Sequence, residues 1–304
     1  MVVRQKNPVN LITLLIFILL NVTGLFTDRI TEATGLSKYG FFIILYIVCF
    51  GIPLAALAII NRKEIRVRSY LKLKNFKLRY LPVSVSAGLA ASLFAILLNT
   101  AIYALFKIEP SGDVATAIGS VEFDGLFSVL FAVVLMPAVF EELYFRGAYC
   151  SQYSEYPRIE VILAAAISFT VLHGSLDNIV APFICSVVYS FLVYFTGSIW
   201  SAIIAHTVNN LLAVGAAYYA DVISNSELKW AIFVTFLLVF FISLYFTLRF
   251  FEKHYLKSKK RRRGMTVKES KRSKNRQTPF TKSFFILIAL FIVKVILTLT
   301  GFWK

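Results

Sequence analysis

Apolar residues run along this chain in long blocks separated by short polar stretches. Windows of high hydropathy lie near residues 11–27, 40–61, 81–106, 125–149, 159–174, 179–196, 199–220, 229–250 and 284–302. Most approach the roughly 20 apolar residues that carry an α-helix across a bilayer. The pattern predicts an all-α fold, a polytopic transmembrane helical bundle with about eight core spans and a candidate C-terminal ninth. The first block is too long and too thinly flanked by basic residues for a cleaved signal peptide, and no small-residue cleavage site follows it, so it is expected to persist as a helix. The ninth carries Lys294 near its middle, a lysine expected to snorkel or to face a partner helix.

Composition excludes the other broad classes. The 304 residues are 58% apolar and 16% charged, with a mean hydropathy of +0.74. A soluble domain carries about 25% charged residues, so a water-soluble enzyme and a disordered chain are both ruled out. The net charge of +16 in a soluble protein would point to nucleic acid, but its distribution argues against that partner. Of 32 Lys and Arg, 8 lie between Arg62 and Arg79 and 13 between Lys253 and Lys282. Both clusters sit between apolar blocks, as topology signals do.

Counting alternate spans from a cytoplasmic N-terminus puts both clusters inside. The same count places the Lys- and Arg-poor connections at 107–124 and 221–228 outside. The expected setting is that of an integral cell-membrane protein in contact with membrane lipids, with no nucleic acid as partner. The 62–79 stretch alternates basic and apolar residues, as a segment lying on the inner membrane surface would. Residues 253–282 lack a hydrophobic period and read as a solvated linker. Cys49, Cys150 and Cys185 lie within or beside apolar blocks at wide spacing and read as small buried hydrophobes.

Ionisable residues inside the apolar blocks carry the candidate chemistry, because each costs roughly 2.5–3.5 kcal/mol to insert. Glu141, Glu142 and Arg146 stand in one block, and His173 and His206 in two others. Glu142 and Arg146 are four apart, share a helix face and are expected to pair. Glu141 is turned about 100° from Glu142 and faces elsewhere. A carboxylate without a cation in low dielectric favours proton uptake near neutrality, which suits a general base. Pro137, one turn earlier, is expected to bend the helix. Phe169 and His173 share a face, so the ring can wall off water while the imidazole points into a pocket. His206 and Asn210 repeat that spacing and can both donate hydrogen bonds, as an oxyanion hole requires. Asn209 points off that face.

These motifs, EExxxR followed by Gly147, FxxxH and HxxxN in this order on successive helices, resemble the CAAX prenyl protease and bacteriocin self-immunity family of intramembrane proteases (CPBP, Abi or lysostaphin-resistance-like). The resemblance covers about residues 125–215. It implies that Glu141 and His173 activate water while His206 and Asn210 hold the oxyanion, with Glu142, Arg146 and Phe169 in support. The resemblance places a catalytic core at 125–220; around it the hydropathy and charge patterns put N-terminal helices at 1–124, a closing helix at 221–252, the basic linker 253–282 and an additional helix at 283–304, the last two outside the shared region. The implied activity is a CAAX-type endopeptidase, glutamic or metallo, acting on a membrane-associated peptide or protein in a bacterial cytoplasmic membrane.

Glu141, His173 and His206 would also make a His2Glu set of the kind that holds catalytic zinc. There is no HExxH helix, and a metal-free glutamate mechanism is the preferred expectation. A non-catalytic scaffold or immunity protein using the same cavity is the rival from another class. A proton-coupled transporter is a third, disfavoured because no internal symmetry is visible. Straight spans create one conflict. They put Glu141 about 5 Å, His206 about 10 Å and His173 about 21 Å from the cytoplasmic side, too wide a spread for one site.

Overall fold

The computed structural model describes residues 8–62, 66–106, 125–174, 179–220, 226–263 and 278–300. Among them there are helices and no strands, so the all-α bundle is as the hydropathy pattern indicated. We number the helices α1 (Val9–Leu25), α2 (Thr27–Thr34), α3 (Lys38–Asn61), α4 (Leu81–Phe106), α5 (Leu126–Gln152), α6 (Arg158–His173), α7 (Val180–Thr196), α8 (Trp200–Ala220), α9 (Ser226–Arg263) and α10 (Lys282–Leu299). Except for the short α2, which bends 68° away from α1, each corresponds to one apolar block.

By length and apolarity, five described helices can cross a membrane, or six if the bent α1–α2 pair counts as one span. The eight-plus-one count therefore exceeds what length alone supports. At 16 and 17 residues, α6 and α7 fall short of a full span, and α6 reaches only about 24 Å at 1.5 Å per residue.

Two helices contain wide π-helical turns, Ile47–Gly51 in α3 and Leu130–Leu135 in α5, and each runs straight into a proline-bearing segment. Pro53 and Pro137 have no N–H to return to the carbonyl four residues back, and their rings crowd that carbonyl. The backbone answers by widening the turn before each proline. A further π stretch, Leu143–Tyr149, follows the paired glutamates. Single π turns of this kind are rare and gather at functional sites.

The core forms where α1, α3, α5, α6 and the start of α10 meet, around Leu57, Tyr144, Phe145, Tyr149, Ala164 and Phe284. A second cluster joins α4, α7 and α8 around Ala87, Tyr189, Leu192 and Ala205. The α4–α8 approach is close because of Gly88: a Cβ placed there would lie 2.5 Å from the Ala205 carbonyl oxygen. The ninth block is an integral helix. Thr281 caps α10 by accepting from the Phe284 N–H, and Asn10 of α1 donates to the Pro279 carbonyl (2.6 Å) and to Thr281 Oγ1 (2.8 Å).

The structure refines two expectations. Residues 66–79 fold over one end of the bundle. Tyr70 is buried and its hydroxyl donates to Gln152 Oε1 (3.0 Å), while Ser151 Oγ donates to the Tyr70 carbonyl (2.7 Å). The Ile199 N–H reaches the Lys72 carbonyl, and Ser198 Oγ the Lys74 carbonyl, each at 3.1 Å. Helix termini leave backbone and side-chain donors unsatisfied, and this loop supplies the acceptors. The basic linker also begins later than residue 253, because α9 continues to Arg263. Lys, Arg and Leu all favour helix, and no glycine or proline interrupts the run before Gly264. Residues 264–277 of the linker, and the 107–124 connection, lie outside the described residues.

Candidate active site

Helix α5 sets the site. Glu142 and Arg146, one turn apart and both fully buried, form an ion pair of 2.8 Å. The same Oε1 of Glu142 lies 2.9 Å from His206 Nδ1 on α8. A carboxylate only accepts, so Nδ1 carries the proton and His206 presents Nε2 on its other side. There it meets the second glutamate, with Nε2 4.0 Å from Glu141 Oε2. The neighbouring carboxylates thus have different surroundings, as their 100° offset requires. Glu142 is locked between two cation-forming groups, whereas Glu141 lines an open cavity.

Glu141 does have one partner that sequence spacing did not reveal. Tyr46 of α3 donates its hydroxyl to Glu141 Oε1 at 2.9 Å. Its only sequence signal is a polar phenol in an otherwise aliphatic run, 95 residues from the glutamate. Tyr46 stacks on Phe50 at 5.6 Å, which fixes the ring. Glu141 Oε2 has no hydrogen-bond partner.

His173 is the last residue of α6, and Gly174 ends the helix in the left-handed region at φ +68°. Its ring folds back along the helix, with Nδ1 2.9 Å from the Phe169 carbonyl. The carbonyl accepts, so Nδ1 holds the proton and Nε2 keeps a lone pair. The Phe169 ring lies 4.5 Å from the His173 ring and 6.0 Å from that of His206, with the Arg146 guanidinium 4.7 Å from its centre. Tyr189 of α7, also unforeseen, stacks on His206 at 5.5 Å and flanks Arg146 at 5.5 Å. The two rings box the buried guanidinium and hold His206 upright.

Asn210, one turn past His206, does not simply point into open space. Its Nδ2 lies 3.2 Å from the Val134 carbonyl and 3.5 Å from that of Val133, both in the π turn before Pro137. That turn exposes acceptors an ordinary α-helix would have used. Nor is Asn209 a bystander: its Nδ2 donates to Asn210 Oδ1 (3.1 Å) and its Oδ1 accepts from Ser92 (2.8 Å). Asn209 thereby sets the flip of the Asn210 amide.

Glu141, His173, His206 and Asn210 all line one cavity of about 620 Å³, together with Tyr46, Phe169 and Pro137. The depth conflict raised by straight spans disappears for physical reasons. Helical side chains lean toward their own N-terminus, and α5 and α6 follow each other antiparallel. The side chains of Glu141 and His173 therefore lean toward one another. Short α6 and the His173–Phe169 contact draw the imidazole in further. Helices outside the motif region complete the lining, including Asn21 from α1, Lys38 from α3 and Lys294 from α10.

Glu141, His173 and His206, the set weighed as an alternative metal site, line the same cavity, with His206 Nδ1 on Glu142 and His173 Nδ1 on the Phe169 carbonyl. Among the described residues, no group of three His, Cys, Asp or Glu side chains is placed to hold a metal ion.

A family model described as type II CAAX prenyl endopeptidase Rce1-like matches residues 123–212. The matched stretch contains every motif residue from Glu141 to Asn210, in agreement with the resemblance drawn from the three motifs. Comparison with curated proteins and with solved structures yields no match.

Proposed function

We propose that this chain, which carries an Rce1-like type II CAAX prenyl endopeptidase domain at residues 123–212, is an intramembrane endopeptidase acting on a membrane-associated peptide or protein. One observation carries the reading: a carboxylate, two imidazoles and an amide from three helices share a single cavity. Water between Glu141 and His173 loses a proton to Glu141, assisted by the His173 Nε2 lone pair. The resulting hydroxide adds to the peptide carbonyl. His206 and Asn210 donate to the oxygen that becomes negative. Collapse breaks the C–N bond, and protonated Glu141 returns its proton to the leaving amine.

The hydrogen bonding adds a condition to this scheme. His206 Nδ1–H is committed to Glu142, so donation from Nε2 requires the imidazolium. Two carboxylates, Glu141 and Glu142, then balance two cations, Arg146 and His206, which makes that charge tolerable away from water. Asn210 must turn its amide from the π-turn carbonyls or use its second hydrogen. The localisation that goes with this reading is a bacterial cytoplasmic membrane, with the N-terminus and the 62–79 loop on the cytoplasmic side.

The test uses the full chain in lipid nanodiscs and two quenched fluorescent substrates, one peptide prenylated on cysteine and one hydrophobic membrane segment. Wild type is expected to cleave at least one of them, and Glu141→Gln to reduce the rate by about 10²-fold or more, the scale of general-base catalysis. A folded Glu141→Gln protein that keeps full biological activity would replace the protease reading with the scaffold reading.

A further inference from the structure

A second cavity, of about 640 Å³, lies at the end of the bundle covered by the 62–79 loop. It stands apart from the cavity of Glu141, with which it shares no lining residue. Its cationic side is formed by Arg79, just ahead of α4, and by Lys253, His254 and Lys257 near the end of the apolar part of α9. Among the described residues that line it there is no carboxylate.

Its other walls are aromatic. Tyr80 meets Phe250 edge-on at 6.0 Å. Phe195, at the end of α7, packs against Phe251 at 5.4 Å and against His254 at 6.0 Å. The Phe250 and His254 rings lie 4.0 Å apart at a 36° tilt, and His254 Nδ1 pairs with the Phe250 carbonyl, leaving Nε2 to the cavity. Arg79 is steadied by its contact with the Tyr80 hydroxyl at 3.2 Å, and Arg158 bonds the hydroxyl of Tyr194, which also lines the cavity.

The start of α4 and the end of α7 meet here beside the point in α9 where apolar sequence gives way to basic sequence. That is the depth at which aromatic rings and snorkelling cations meet lipid headgroups. A groove with one cationic face and one aromatic face at that depth fits an amphiphile with an anionic head. We propose that it binds the phosphate of an anionic phospholipid, with Arg79, Lys253 and Lys257 around the phosphate and the acyl chains leaving along Phe195 and Phe250. The proposal does not depend on the proteolytic reading, because no residue of the Glu141 cavity takes part.

The experiment is native mass spectrometry of the detergent-solubilised full chain, titrated with phosphatidylglycerol or phosphatidylcholine. Wild type is expected to retain a saturable phosphatidylglycerol adduct at least tenfold tighter than phosphatidylcholine. The Arg79→Gln/Lys253→Gln/Lys257→Gln protein should lose at least tenfold in that affinity. Arg66→Gln/Lys74→Gln/Lys77→Gln, which removes equal charge from exposed positions outside the groove, should stay within twofold of wild type. Equal losses in both triple variants would overturn the site in favour of general attraction to an anionic leaflet. Displacement of the lipid by glycerol phosphate at matching concentration would overturn it in favour of a free-anion site. If the Gln triple variant does not fold, Lys253→Arg/Lys257→Arg, which keeps the charge, must retain the adduct while Lys253→Met/Lys257→Met loses it; equal adducts would overturn the site.

Discussion

His206 Nδ1 and Arg146 Nη1 converge on a single oxygen, Oε1 of Glu142, at 2.9 and 2.8 Å. One carboxylate thus anchors a histidine facing the cavity and neutralises a guanidinium with no access to solvent. Removing one partner of a buried pair strands the other and costs about 3–5 kcal/mol. Glu142→Gln is therefore expected to destabilise the protein by about 3 kcal/mol, read from unfolding in detergent. Glu141→Gln, which leaves the pair intact, should fall well short of that loss. Equal destabilisation by the two would contradict the division of labour between the glutamates.

Tyr46 holds Glu141 Oε1 through its single hydroxyl, at 2.9 Å. Tyr46→Phe keeps the ring stack on Phe50 and removes only that bond, worth about 1 kcal/mol net. Stability should change by no more than about that amount, while cleavage falls several-fold because the carboxylate is free to rotate away. A normal rate in a folded Tyr46→Phe protein would show that Glu141 needs no such support.

Gly88 is the point where α4 touches the backbone one residue before His206. A Cβ there would meet Ala205 Cα at 3.0 Å as well as its carbonyl oxygen. The contact is backbone, which cannot rotate out of the way. Gly88→Ala should cost about 1–3 kcal/mol by overpacking and lower cleavage by displacing α8 from α5. A melting temperature within a degree of wild type would show that α8 yields freely.

Lys72 lies in the loop over the bundle end, with its backbone at φ +54°. Burial pushes its ammonium below the usual lysine value of 10.5; Cys150 opposes that in part, and Arg146 adds a lesser push downward. A lysine lowered in the folded state binds more protons when unfolded. Its penalty is full below the folded pKa and fades as pH climbs from there toward 10.5. Lys72→Met should therefore be more stable than wild type near neutrality, with the gap closing as pH rises toward 10.5. Parallel stability curves, measured by denaturant unfolding across that range, would refute the charge penalty.

Much of the molecule was legible in order along the chain. Each apolar block became a helix, and the pairing of Glu142 with Arg146 followed from their four-residue spacing. Proline placement foretold a disturbance at residue 137, but the backbone absorbed it as a π turn. That turn in turn provided acceptors for Asn210. Tyr46, Tyr189, Ser92 and Asn209 were not legible as parts of the site, since each acts through a partner on another helix. That residues 66–79 bond the ends of α5 and α8 was not legible either, because alternating basic and apolar residues carry no record of their partners.

The order of residues alone determined that this chain is a membrane-scale helical bundle, which of its polar side chains sit in apolar surroundings, and which of them share a helix face. These follow from local periodicity and from the cost of placing charge in hydrocarbon. Only the tertiary structure decided that Glu141 and Glu142 receive different partners, that His173 and His206 reach one cavity, and that α1, α3 and α10 help to line it. Such facts depend on helix length, widened turns and the close approach at Gly88, because contacts between helices are set by packing in three dimensions.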